Sequence, residues 1–252
     1  MSTLSKIEWT EQTWNPVTGC TKISPGCKHC YAEVMSKRLK AMGMVGYEAG
    51  FEVTLHPKRL SWPLERKKPT VYFVNSMSDL FHEDVPDSFI SEVIEVMKKT
   101  PQHTYQVLTK RAERLPIYFH QYEAPANLWL GVSVEDREYG VPRINELKKV
   151  HNVSVKFLSV EPLLEDLGEI DISGLDWVIV GGESGSKARP MLESWALNVK
   201  AQCDKYNVAF FFKQWGAYGS DGIKRSKKLN GRLLAGSQYD NYPVKRAPDS
   251  AL

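Results

Sequence analysis

Short apolar runs punctuate the chain at residues 52–55, 70–74, 104–108, 128–132, 155–158, 177–180 and 209–212. They are rich in β-branched and aromatic residues, and several are apolar at every position. That pattern suits strands buried on both faces of a parallel sheet. Between most of them lie segments with helical spacing, at 31–42, 88–99, 111–122, 141–150 and 193–207. The first places Tyr31, Val34, Met35, Leu39 and Met42 on one face. The second gathers Phe89, Val93, Val96 and Met97, with Ile90 and Ile94 beside them, and Asp87 suits its N-cap. Segment 163–174 is too short and irregular for a full crossover helix. Strand–helix alternation predicts an α/β fold with a parallel sheet. The number of units fits a complete or partial (β/α) TIM-like barrel over residues 1–216 better than a doubly wound sheet. Residues 217–252 then turn polar, glycine-rich and basic. Asn230-Gly231 is a strong turn pair, and residues 217–252 read as a short C-terminal extension with room for a small hairpin and with a frayed tail after about Pro243.

In parallel α/β folds, ligands gather at the carboxyl ends of the strands. Here one strand after another runs into polar or small residues. The run 70–74 leads to Asn75, Ser76, Ser78 and Asp79, and 104–108 leads to Thr109, Lys110 and Arg111. Ser133 and Glu135 follow 128–132, and Ser159 and Glu161 follow 155–158. Gly181, Gly182 and Glu183 follow 177–180, and Lys213 and Gln214 follow 209–212. Each switch alone is routine; in succession they predict a polar ring at one barrel mouth. Glu135, Glu161, Glu183 and Lys213, with Gln214, are candidate catalytic residues on its substrate side. The same residues equally suit salt bridges closing the barrel top. Trp215 suits either stacking on a base or capping the core.

Composition adds two constraints. The 252 residues are 42% hydrophobic and 25% charged with a net charge of +3, which admits a nucleic-acid partner without requiring one. No run approaches the ~20 apolar residues that span a bilayer, and the N-terminus lacks a signal-like apolar stretch. No membrane partner is expected, and the expected location is cytoplasmic, where thiols stay reduced.

The cysteines therefore carry weight. Cys20, Cys27 and Cys30 fall within eleven residues and read as metal ligands rather than disulfide partners. Cys203, within a helical pattern, reads as a buried structural thiol. The three precede a helix beginning near Tyr31, whose N-terminal N–H groups favour an anionic thiolate-bound centre. Three thiolates with an open position suit an iron–sulfur cluster, whereas zinc closes with four ligands; spacing alone leaves both open. A metal-dependent hydrolase is disfavoured, because the six histidines show no paired spacing. Basic clusters stand at Arg66-Lys67-Lys68, at Lys110-Arg111 with Arg114, and at Lys224-Arg225 with Lys227-Lys228. With Trp9, Trp14, Tyr218 and Tyr239 as stacking aromatics they suit DNA or RNA; solvated charge is the plainer reading of each.

The run Cys27-Lys-His-Cys30-Tyr31-Ala32 resembles the second half of the radical S-adenosylmethionine cysteine signature. The succession Asn75-Ser-Met-Ser-Asp79, Leu108-Thr-Lys110 and Gly131-Val-Ser133-Val resembles the spore photoproduct lyase-like branch of that superfamily. More closely, residues 7–243 resemble a mostly bacteriophage-borne three-Cys-motif family whose reaction is not established. The marks are Trp14-Asn-Pro-Val-Thr-Gly-Cys20, Gly181-Gly-Glu-Ser-Gly185, Ala188-Arg-Pro-Met191 and Phe211-Phe-Lys-Gln-Trp-Gly216. The resemblance implies a [4Fe–4S] cluster on Cys20, Cys27 and Cys30, with S-adenosylmethionine bound at its open iron. It implies an enzyme that, given an electron donor, cleaves this cofactor to a 5′-deoxyadenosyl radical and abstracts hydrogen from a substrate. Relatives that mend lesions point to DNA, RNA or a nucleotide, in repair or modification. Carried over by position, Ser78, Lys110 and Ser133 contact the cofactor, Asn75 and Asp79 neighbour it, and His29 packs on its adenine. The chain departs from the signature in one respect: six residues separate Cys20 from Cys27, where most members have three. The alternative is a non-catalytic protein, stabilised by zinc or a cluster, that binds nucleic acid or docks a partner protein.

Overall fold

The computed structural model describes residues 3–5 and 7–244. In chain order its strands are β1 (Thr3–Leu4), β2 (Gln12–Trp14), β3 (Val17–Thr18), β4 (Thr54–Leu55), β5 (Val71–Val74), β6 (Thr104–Thr109), β7 (Leu128–Ser133), β8 (Val155–Val160), β9 (Trp177–Gly181) and β10 (Ala209–Gln214). The helices are α1 (Tyr31–Ala41), α2 (Trp62–Glu65), α3 (Asp87–Lys99), α4 (Arg114–Gln121), α5 (Val141–Lys148), α6 (Glu193–Tyr206) and α7 (Lys227–Asn230). Strands β3 and β4 pair only with each other. The remainder form one eight-stranded sheet in the order β1-β2-β5-β6-β7-β8-β9-β10, parallel throughout except for β1. Among the described residues the edge strands β1 and β10 do not pair, so the sheet is a partial barrel.

Period-two alternation explains why the strands are apolar on both faces. Tyr72, Val74, Tyr105, Val107, Leu130, Val132, Leu158, Val178 and Phe212 face outward into a core shared with α3 to α6. The intervening Phe73, Trp129, Phe157, Trp177, Ile179 and Phe211 form a second cluster around Trp9. The Trp9 ring lies 4.8 Å from Phe73 of β5 and 6.2 Å from Trp177 of β9, so one side chain bridges distant strands and the sheet must curl around it. The same alternation places a polar residue above this floor two positions on: Asn75 after Phe73, Ser159 after Phe157 and Lys213 after Phe211.

Several expectations change. Residues 52–55 do not enter the sheet; Thr54 and Leu55 pair with Thr18 and Val17 beside the cysteine loop. Strand β2 is an unexpected member, because only three residues pair and Gln12 and Thr13 break the apolar pattern. The face of α1 is reversed. Tyr31, Val34, Met35 and Met42 are exposed, while the small Ala32 and Ser36 turn inward. Asp87 lies inside the first turn of α3, with Pro86 at the N-cap, and pairs with Arg114. The crossover from β8 to β9 has no helix, as its composition suggested; Leu163, Leu167, Ile170 and Ile172 fill that layer instead.

After Gly216 the chain carries α7 and antiparallel bridges Tyr218↔Lys224, Leu234↔Ser237 and Phe211↔Asp240. This extension spans the gap between the sheet edges: Lys227 Nζ pairs with Glu8, between β1 and β2, at 2.7 Å, and Asn241 N donates to Phe210 O of the edge strand β10 at 3.2 Å. The expected frayed tail falls largely on residues 245–252, outside the described residues. Among the described residues no helix is long and apolar enough to cross a membrane.

Phe157 fills the space that Gly131 leaves; a Cβ there would meet its ring at 2.6 Å. Phe157→Ala is expected to cost about 3–5 kcal/mol through the cavity it opens, read as a lowered urea midpoint at unchanged slope.

Candidate active site

A cavity of about 420 Å³ opens at the carboxyl ends of the parallel strands, over the aromatic floor. Cys20, Cys27, Cys30 and His29 line it, together with Asn75, Ser78 and Asp79 after β5, Lys110 after β6 and Ser133 at the end of β7. Glu161, Glu183, Lys213 and Gln214 complete the lining. The predicted polar ring thus exists, and of the candidate residues only Glu135 lies outside the cavity wall.

The cysteine loop is held at both ends. At the Cys20 end, Gly19 adopts φ +83° and its Cα closes on the 51–52 backbone, where a Cβ would fall 2.0 Å from Glu52 O. Only glycine allows that approach. Gly19 N donates to Met77 O, and Cys20 N to Phe51 O. Arg111 Nη1 donates to Cys20 Sγ at 3.5 Å and to Asp79 Oδ2 at 3.3 Å, while its Nε reaches Glu83 at 2.6 Å. Burial, with the Asp79 carboxylate beside it, pushes the Cys20 thiol up to about 11 against the opposing pull of Arg111. A bound cation would displace that proton.

At the other end, residues Pro25–Cys27 form a single 3-10 turn. Ser24 Oγ donates to Glu135, whose carboxylate is fully buried and pairs with Arg143 at 2.7 Å. Gly26 packs directly on the Glu135 side chain, 3.0 Å from where a Cβ would sit. Glu183 accepts both arms of Arg189, at 2.9 and 2.7 Å, and Arg189 Nη2 donates onward to Pro25 O at 3.0 Å. Burial raises both carboxyls toward neutrality but is outweighed. Lys110 and Arg143 hold Glu135 below its ordinary value, and the Arg189 fork does the same for Glu183. Glu135 therefore anchors the loop from behind.

The remaining candidates divide by what already engages them. Asp79 accepts from Phe81 N, Thr109 Oγ1, Lys110 N and Arg111, so it shapes the wall. Ser78 Oγ donates to Val17 O at 2.8 Å. Asn75 takes φ 59°, a left-handed turn that Asn tolerates; its Oδ1 accepts from Val17 N, while its Nδ2 is buried without a partner. Lys110 makes no ion pair within 4 Å among the described residues. His29 Nδ1 lies 3.3 Å from Glu183. Glu161 pairs with Lys213 at 2.9 Å and accepts from Ser159 Oγ. Gln214 Nε2 donates to Gly182 O at 2.9 Å.

Some sequence-based readings move. Arg111 and Arg114 are turned inward onto Glu83, Asp79, His82 O and Asp87, and are not a nucleic-acid patch. Trp9 and Trp14 are buried, as is Trp215, whose Nε1 donates to Leu233 O; none is a stacking platform. Gly182 serves close backbone packing, since a Cβ would fall 2.0 Å from Trp215 O. Cys203 is a buried core thiol, as expected. Ser24 carried no signal of its role, because its partner Glu135 lies 111 residues away; Arg143 and Arg189 lie only eight and six residues from Glu135 and Glu183, but each pair is joined through an irregular loop with no period to read.

Cys20, Cys27 and Cys30 are free thiols, each partly exposed. Among the described residues no three His, Cys, Asp or Glu side chains are grouped closely enough to hold one metal ion. All three line the same cavity, so their thiols are the donor set that a three-thiolate cluster would take.

Fold and site together define an α/β part-barrel protein with a three-thiol cavity at its strand ends. The chain belongs to DUF5131, described as a protein of unknown function, matched over residues 4–243. Its fold is similar to solved structures of spore photoproduct lyase. A cysteine-to-alanine mutant aligns with a TM-score of 0.54 at 12% identity, covering 84% of this chain and 78% of that one. A tyrosine-to-phenylalanine mutant aligns at 0.52 and 11%, covering 85% and 79%. A third, with bound AdoMet and dinucleoside spore photoproduct, aligns at 0.45 and 13% over 82% of this chain; the chain spans 65% of that one, just under two thirds. At these identities the likeness is one of fold. No functionally curated protein matches the sequence.

Removing one partner of a buried pair strands the other charge, so Arg143→Met is expected to cost about 3–5 kcal/mol in chemical denaturation. Because the Glu135 and Glu183 carboxyls sit below their ordinary 4.5, their stabilisation is complete above that pH and fades as pH falls below it. The acid-side drop in urea midpoint is therefore expected to be shallower in the double variant Glu135→Gln, Glu183→Gln than in the wild type.

Proposed function

We propose that this chain is an iron–sulfur enzyme of the radical S-adenosylmethionine type, acting on nucleic acid or a nucleotide. The observation that carries the reading is the clamped loop itself: three free thiols on one cavity at the strand ends, beside a lysine, Lys110, that makes no ion pair within 4 Å among the described residues and the unpartnered Asn75 Nδ2. Cys20, Cys27 and Cys30 would hold the cluster. Lys110, the cavity cation without an ion pair, suits the cofactor carboxylate, and the unpartnered Asn75 Nδ2 supplies a buried donor. Ser133 and Ser78 offer hydroxyl oxygens, and Asp79 fixes the wall from which Lys110 projects. His29, held near Glu183, is placed to pack on an adenine. When bound, the cluster and S-adenosylmethionine would supply a 5′-deoxyadenosyl radical on receipt of one electron from an external donor.

The chain's own residues would then position and shield. The Glu161–Lys213 pair is internally neutral and lies on the later strands, where a substrate would enter. The aromatic floor around Trp9 excludes water from below. The nucleic-acid part of the reading draws on the fold shared with spore photoproduct lyase and on the net charge of +3. It does not draw on surface aromatics, because Trp9 and Trp14 are interior.

Anaerobic reconstitution is expected to load about four irons per chain, and dithionite is then expected to release 5′-deoxyadenosine from S-adenosylmethionine. Cys20→Ala, Cys27→Ala and Cys30→Ala should each lose the cluster absorbance, while Cys203→Ala keeps it. A fully loaded protein that never cleaves the cofactor, with single-stranded DNA or RNA present or absent, would overturn the enzymatic reading.

A further inference from the structure

Resting on the assignment of a cluster to Cys20, Cys27 and Cys30, we infer that Arg111 is a positioning residue for that cluster, holding the Cys20 corner in place and easing the cluster's reduction. Its neighbour Lys110 lines the cavity without an ion pair, but Arg111 is differently committed. A guanidinium has five N–H donors, and all five are used. Nε donates to Glu83 Oε2 at 2.6 Å. Nη1 donates to Asp79 Oδ2 at 3.3 Å and Cys20 Sγ at 3.5 Å. Nη2 donates to Thr21 O at 3.3 Å and Thr21 Oγ1 at 2.7 Å. No donor is left for a substrate or a cofactor carboxylate. The side chain is a rigid bracket between the end of β6, the loop after β5 and the backbone beside Cys20.

This bracket answers the long spacing in the cysteine motif. Six residues between Cys20 and Cys27 leave the first thiol poorly fixed by its own chain. The structure fixes it from outside, through Gly19 and Cys20 backbone bonds to Met77 and Phe51 and through the Arg111 fork on Thr21 and Cys20. Lysine cannot reproduce this, because its donors radiate from one nitrogen rather than spreading across a planar fork.

The bracket also has an electronic consequence. Arg111 is the one cation donating to a cysteine sulfur among the described residues, and two carboxylates, Asp79 and Glu83, pair with it. Hydrogen bonds to cluster sulfurs and nearby net charge set the reduction potential. A donor with positive charge at Cys20 favours the more negative, reduced cluster. Without it, Asp79 and Glu83 stand uncompensated beside the same thiolate and oppose the incoming electron.

The test compares the reconstituted wild type with Arg111→Gln, Arg111→Lys and, as a control on an inward arginine that touches no cysteine, Arg114→Gln. The readouts are iron per chain, the rate of iron loss to a chelator, and the midpoint potential from an EPR-monitored redox titration. Arg111→Gln is expected to be about tenfold harder to reduce, a shift of about 59 mV to lower potential for one electron, and to lose iron faster. Arg111→Lys is expected to fall between it and the wild type, and Arg114→Gln to match the wild type. A merely structural arginine would lower melting temperature and leave the potential of the loaded fraction unchanged, which overturns the inference. If Arg111→Gln fails to load, Arg111→Lys decides: wild-type potential and wild-type iron retention in that variant overturn the role. A wild type that takes up no cluster removes the cluster reading and Arg111's role with it; a normal wild type with unshifted Arg111 variants removes only the latter.

Discussion

The fold of the site depends on charged side chains that grip an otherwise polar, unpacked loop. Residues 19–30 offer little apolar surface to bury, so packing alone does not hold them. Arg111, backed by Asp79 and Glu83, fastens the Cys20 end. Glu135 with Arg143, and Glu183 with Arg189, fasten the turn before Cys27. Such pairs contribute little net stability over apolar substitutes, yet breaking one strands a buried charge. That asymmetry makes them positioning devices: the loop conformation that satisfies all three is strongly preferred over those that leave one open.

The sheet supplies the frame for these grips. Alternation along each strand lays an aromatic floor around Trp9 and lifts polar residues two positions beyond it. Because the strands are parallel and in register, the polar ends arrive at one level. The sheet is open, and the C-terminal extension bridges its edges through Lys227–Glu8 and the Asn241–Phe210 backbone bond. A cavity results whose floor is apolar, whose one wall is thiol-bearing and whose opposite-signed charges on the later strands are already matched. Under the proposed function such a cavity would keep a reactive species from water while orienting a polar cofactor.

Side chains expected to meet solvent or ligand and found elsewhere follow a common physical rule. Arg111, Arg114, Trp9 and Trp14 look in sequence like a basic, aromatic nucleic-acid surface. Arg111, Arg114 and Trp14 turn inward because acceptors reach them from distant segments, Asp79, Glu83, Asp87 and Arg59 O, and Trp9 does so by packing among the rings of β5, β8 and β9. On α1 the reverse holds. Its apolar stripe stays outside, since only Ala32 and Ser36 are small enough for the side that meets the protein.

The α/β class, six of the parallel strands, the five longer helices and the polar strand ends were legible along the chain, because each is written in local periodicity. The grouping of the three cysteines was legible for the same reason: they fall within one short stretch, and all three line the cavity. What the tertiary structure alone decided is which polar residues face the cavity and which brace it. Glu135 and Glu161 stand at equivalent strand ends, yet Glu135 lies behind the loop on Arg143 while Glu161 lines the cavity with Lys213. Openness of the barrel, entry of the three-residue β2 and the inward turn of Arg111 were likewise invisible. Each is set by a partner tens of residues away, and a carboxylate or guanidinium carries no local mark of where its counter-charge will come from.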